Sequence, residues 1–119
     1  MFRAAAILVM LLLGQTSASA VCNVFGLWIP SWGGNSTAEM AASSGEPCSL
    51  PIDAGGTNII ESMVISSPPR NGTARVDDDT VWYQSRSGFT GQDSFTFTVT
   101  GSGGGGSGSS TVRLNVTVQ

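Results

Sequence analysis

The stretch Phe89–Gly101 reads FTGQDSFTFTVTG, and its second half decides the fold. From Ser94 to Thr100 the apolar residues Phe95, Phe97 and Val99 alternate with Thr96, Thr98 and Thr100. Side chains two positions apart lie on one face of an extended chain, so this pattern is a strand with one buried and one wet face. The residues before it are turn formers, and Asp93 stands at the join. A catalytic acid there needs a partner group placed with it, and the neighbouring sequence offers none. Asp93 is therefore read as a structural corner whose carboxylate accepts backbone N–H groups of the preceding turn.

The two-residue period continues on both sides. Ile59–Ile65 is a β-branched run stopped by Ser66-Ser67-Pro68-Pro69. Asn71-Gly72 marks a turn, since both residues tolerate positive φ. Thr73–Val76 and Thr80–Gln84 alternate around Asp77-Asp78-Asp79, and Thr111–Gln119 places Val112, Leu114, Val116 and Val118 on one face. Short alternating strands with turn signals between them indicate an all-β, Greek-key sandwich. Its predicted core is Val81, Tyr83, Phe89, Phe95, Phe97, Val99, Val112, Leu114 and Val116. Gly101–Ser110 (GSGGGGSGSS) has the composition of a linker but lies between two patterned strands, so a long, mobile hairpin loop is expected there.

The amino terminus reads as an export signal. Arg3 precedes the apolar run Ala4–Gly14, and Ala18-Ser19-Ala20 supplies small residues for cleavage before Val21. The run is too short to span a bilayer. A lipid anchor on Cys22 is rejected, because Val21 and Ser19 stand where a lipoprotein signal has a small residue and a leucine. Cys22 and Cys48 then form a disulfide in an oxidising compartment. Residues 21–46 hold Trp28 and Trp32 in GLWIPSWGG and are read as an irregular extension pinned by that bond. Within it Thr37–Ser44 (TAEMAASS) makes at most a turn or two of helix. Residues 47–119 are the sandwich domain.

Composition removes several functions. After the signal, Arg70, Arg75, Arg86 and Arg113 face eight carboxylates, a net charge near −4, with no lysine. Such a chain has no electrostatic footprint for nucleic acid, and no second apolar run can insert in a membrane. Without histidine, no Ser or Cys nucleophile has its usual base, and zinc or copper lose their usual nitrogen ligands. No cofactor is expected. A hydrolase using two of Asp53, Glu61, Asp77 and Asp93 needs a cleft that a small sandwich has little room for. Asp77–Asp79 reads as a solvated hairpin tip, or alternatively as a weak, exposed cation site. Trp28 and Trp32 leave two readings open: they cover one end of the sandwich, or they stack on sugars or fill a partner's pocket. Trp82 alternates out of phase with Val81 and Tyr83, on the outer face, where the extension could cover it.

With these residues in view, the chain resembles the bacterial Ig-like modules of cadherin-like type that occur in tandem in surface adhesins. The resemblance rests on Pro69-Arg70-Asn71-Gly72-Thr73, on Val81-Trp82-Tyr83, on Gly88–Val99 with its Gly-Phe-Thr-Gly-x-Asp-Ser-Phe signature, and on Thr111–Val118. It covers about Leu50–Gln119, in a single copy. Related modules carry an acidic, calcium-binding stretch before the Pro-x-Asn-Gly-Thr segment. Here Ile52–Ser62 has only Asp53 and Glu61, so the resemblance brings no calcium site. What it implies is an exported, non-enzymatic binding or structural module, periplasmic or extracellular, engaged in protein–protein contact or adhesion. The alternatives are a carbohydrate-binding module using its tryptophans and, after that, a small hydrolase. The expected partner is a protein or a glycan. It also makes the Asn-x-Ser/Thr triplets at Asn35, Asn71 and Asn115 coincidental.

Overall fold

The computed structural model describes residues 20–119, so the export signal expected over residues 1–20 lies outside it apart from Ala20. Among the described residues the chain forms eight strands and no helix: β1 (Cys22–Phe25), β2 (Asn35–Ala42), β3 (Cys48–Pro51), β4 (Ile59–Ser67), β5 (Gly72–Asp77), β6 (Thr80–Ser85), β7 (Gly91–Gly103) and β8 (Gly106–Val118). They make a five-stranded sheet in the order β1-β2-β8-β7-β4 and a three-stranded sheet in the order β3-β6-β5. All neighbours are antiparallel except β2 and β8, which run parallel over Asn35–Ala42 and Thr111–Val118. The chain changes sheets between β2 and β3, β3 and β4, β4 and β5, and β6 and β7.

The all-β sandwich expected from the alternation is what forms. Phe95, Phe97 and Val99 of β7, Val112, Leu114 and Val116 of β8, and Val81 and Tyr83 of β6 are buried between the sheets. Tyr83 and Phe95 stack with ring centres 5.6 Å apart, one from each sheet. Phe89 is only half buried, against the core on one side and under the Arg86 guanidinium on the other. Outside the five-stranded sheet, Thr98 bonds Ser66 and Thr111, and Thr100 bonds Ser109. A row of hydroxyls thus links β4, β7 and β8 across the outer face.

Three expectations are corrected. Residues 21–46 are no irregular extension, and Thr37–Ser44 is no helix. β1 and β2 belong to the larger sheet, and Ala38, Met40 and Ala42 of β2 are core residues. The run STAEMAA is rich in helix formers, but β8 offers an open edge, and pairing with it satisfies the β2 backbone while burying alternate side chains. The glycine-rich segment is likewise no long mobile loop. β7 and β8 stay paired out to Gly103 and Gly106, joined by Gly104-Gly105 alone.

The disulfide between Cys22 and Cys48 is present, with Cα atoms 5.4 Å apart. It ties β1, an edge of the larger sheet, to β3, an edge of the smaller one, closing that side of the sandwich. A cross-link over 26 positions lowers the entropy of the unfolded chain by the equivalent of about 3.5 kcal/mol in the chain-entropy description. That is a large part of the stability expected of a domain this size.

The place of β2 can be checked by substitution. Met40→Ala should cost about 2–5 kcal/mol in denaturant titration, as buried methionines do. Glu39→Ala, on the exposed face one residue away, should change stability by about 0.5 kcal/mol or less. Small losses in both would return residues 35–42 to a loose extension.

Candidate functional site

Two constellations stand out, at opposite ends of the sandwich. The first is built on Asp93, near the start of β7. Its Oδ1 accepts the backbone N–H groups of Arg70 and Ser94, at 3.1 and 2.9 Å. Its Oδ2 accepts the Asn71 N–H at 3.2 Å and the Tyr83 hydroxyl at 2.8 Å. Asp93 is a corner, though not the one expected. Apart from Ser94, its donors come from the β4–β5 crossover and from β6, not from the turn before it. With both oxygens engaged, the carboxylate holds the two sheets together. Tyr83 is the counterpart. Its burial first, then the bond to Asp93 and the negative charge there, hold the phenol well above its ordinary value of 10.0.

The second constellation is the end where the β1–β2 loop, the β3–β4 loop and the β7–β8 hairpin meet. In β7 and β8 the inward positions beyond Val99 and Ser110 fall to Gly101 and Gly108, which face each other across the ladder. A core needs bulk there and the strands supply none. Trp32 supplies it from the β1–β2 loop. A Cβ at Gly101 would lie 2.7 Å from Cη2 of Trp32 and would also strike the Ile59 carbonyl, and one at Gly108 would lie 3.4 Å from the Trp32 Cβ. The glycine pair is a slot, and the indole fills it. Ser110, buried, fastens the loop by directing its hydroxyl to the carbonyls of Pro30 and Ser31, each at 3.1 Å. Backbone bonds from Gly33 N–H to Ser109 and from Thr111 N–H to Gly34 complete the seam.

Beside Trp32 the three loops enclose an open cleft of about 490 Å³. The β1–β2 loop gives Ile29, Pro30, Ser31 and Trp32, the β3–β4 loop gives Ala54 and Asn58, and the hairpin gives Gly103, Gly105, Gly106 and Ser107. Asn58 is held by donating its amide N–H to the carbonyls of Ala54 and Gly55, at 3.2 and 3.1 Å.

The three tryptophans do not converge. Trp32 is half buried in its slot, whereas Trp28 in the same loop is 56 % exposed. Trp82 lies on the outer face of the three-stranded sheet, as its phase requires. Its cover is the Arg75 guanidinium, 5.0 Å from the ring centre, in place of the amino-terminal segment. Asp77–Asp79 forms the β5–β6 hairpin tip, with Asp78 at φ 53°. Asp53 accepts the Gly55 N–H, Glu61 accepts from Ser102, and neither is brought to Asp93 by a shared contact. Sequence reasoning missed Asn58, Ser110 and the paired glycines. The glycines carried a signal: both are in phase with the buried positions of their strands.

The family model described as a bacterial Ig domain matches residues 35–117. No curated protein matches the chain.

Tyr83 is the single tyrosine of a chain without lysine or histidine, so alkaline titration followed by tyrosinate absorbance reads this residue alone. Because its folded pKa is raised, its contribution to stability is complete below about pH 10 and falls as pH rises beyond that value. Tyrosinate should therefore appear late, together with loss of the fold, and Tyr83→Phe should remove this part of the alkaline instability. A midpoint at the ordinary value in a folded protein would show that the phenol is neither buried nor bonded to Asp93.

Proposed function

This chain belongs to the bacterial Ig domain family, and we propose on that footing that it is an exported, non-enzymatic interaction module that makes its contacts through the loop end. It works in the periplasm or at the cell surface, in adhesion or protein–protein contact. The observation that carries this reading is the geometry of the two flanks. The Ser43 N–H bonds the Val21 carbonyl and the Ser44 N–H bonds the Gln119 carbonyl. Residues 21 and 119 thus leave the sandwich from the same end, opposite the cleft. Whatever precedes or follows them departs on that side, and the loop end points away from it.

Other features agree. Three of the four large apolar side chains exposed among the described residues, Phe25, Trp28 and Ile59, lie on or next to the loops of that end. Ordered apolar groups left in water are the usual anchors of a contact surface. The disulfide suits an oxidising compartment. The non-enzymatic reading is supported by the chemistry of the side chains: both thiols are bonded to each other, and the Asp93 carboxylate is already taken by its four donors.

A photocrosslinking residue at position 28, in the full chain expressed in a bacterial host that exports it, should capture an envelope component. One at Thr90, in the exposed loop at the other end, should not. Adducts at Thr90 with none at position 28 would place the contact on the wrong end.

A further inference from the structure

We infer that the cleft between Trp32, Asn58 and the tip of the β7–β8 hairpin is a binding site for a short, uncharged saccharide. The inference rests on the loop-end reading above and adds the class of ligand. Its first support is size: about 490 Å³ lies in the ordinary range for small-ligand sites.

Its second support is the chemistry of the walls. Among the described residues, no charged side chain lines the cleft. An anionic or cationic ligand would surrender hydration there without meeting a counter-charge, which is unfavourable. The acidic hairpin tip Asp77–Asp79 lies at this same end, since the Asp79 carbonyl takes the Ile52 N–H beside the β3–β4 loop, and this adds repulsion for anions. A purely apolar ligand is equally ill served, because Ser31, Ser107 and Asn58 stand among the lining groups. What fits is a molecule with one apolar face and a rim of neutral donors and acceptors. A pyranose ring has that form, its C–H face suited to an indole and its hydroxyls to an amide and to serine hydroxyls.

Its third support is preorganisation. Asn58 spends its N–H groups on Ala54 and Gly55, which fixes the side chain and turns its Oδ1 toward Gly103. A Cβ at residue 103 would lie 2.6 Å from that oxygen. The same Cβ would also strike the Asn58 Cα and the Thr57 carbonyl, so glycine at 103 lets the hairpin pack directly against Asn58 and hold it in the cleft wall. Trp32 is likewise locked by its slot before any ligand arrives. A site whose aromatic and polar groups are already held loses little entropy on binding.

The test is a titration of the isotopically labelled protein with maltotetraose, cellotetraose and chitotetraose, with trigalacturonate as the anionic control. At least one neutral tetrasaccharide should shift the Trp32 indole and Asn58 amide resonances saturably, and trigalacturonate should not. Gly105→Leu places a side chain at the rim, where a Cβ meets nothing within 4 Å. It should leave the melting temperature unchanged and weaken binding at least tenfold. Asn58→Ala, removing one neutral acceptor, should weaken it about fivefold. Equal shifts with trigalacturonate, undiminished binding in Gly105→Leu, or no shift with any neutral sugar at millimolar concentration overturns the assignment. If position 28 still captures an envelope protein in that last case, the saccharide fails and the loop-end module stands.

Discussion

One carboxylate joins the two halves of this sandwich. Asp93 belongs to the larger sheet, and its oxygens receive the hydroxyl of Tyr83 from the smaller sheet and two N–H groups of the segment crossing between them. Hydrogen bonds to an ionised acceptor are worth roughly twice neutral ones. These fix the side of the sandwich where β4 hands over to β5. The opposite side, between β1 and β3, is closed by the disulfide. Hydrophobic burial holds the sheets face to face, but it is non-directional and does not set where one sheet stops relative to the other. The carboxylate and the disulfide do.

Away from these two ties the sandwich is completed by a borrowed side chain. Gly101 and Gly108 leave the last core layer empty, and Trp32 enters it from a loop that precedes both in sequence by many residues. The loop is therefore positioned by core packing, and with it the wall of the cleft that Pro30 and Ser31 form. Packing and site are one construction here. Any change that widens the glycine slot or narrows it moves the cleft with it.

The legible part of the fold was the part in which polar and apolar residues alternate strongly. Phe95, Phe97 and Val99 announce a half-buried strand because β-branched and aromatic residues fit a pleated surface and suit no other local structure as well. β2 was hidden because its inward residues are Ala38, Met40 and Ala42, which favour helix when judged alone and become strand only beside β8. The glycine-rich hairpin was hidden for the converse reason. Glycine weakens a strand taken alone, and only the neighbouring Trp32 and β4 make it the residue that fits. The identity of Asp93 as a corner could be read from its position at a turn. Its partners could not, since Arg70, Asn71 and Tyr83 come from other elements. Asn58 gave no signal at all, because a single asparagine among glycines reads as a turn residue.

The position of Cys22 governs how the domain responds to a pull. Tension applied between Val21 and Gln119 enters at the second residue of that path and passes at once through the sulfur bridge to Cys48. From there it runs through β3 and the rest of the sandwich. Everything between the two cysteines, β1, the loop carrying Trp28 and Trp32, and β2, hangs from the bridge as a covalently shunted branch. While the bond is oxidised, the covalent path of the force bypasses the segment that fills the glycine slot and walls the cleft. On reduction the same residues become the first length of chain in series with the force. The redox state of one bond thereby decides whether the loop end lies on the covalent path of a pulling force or beside it.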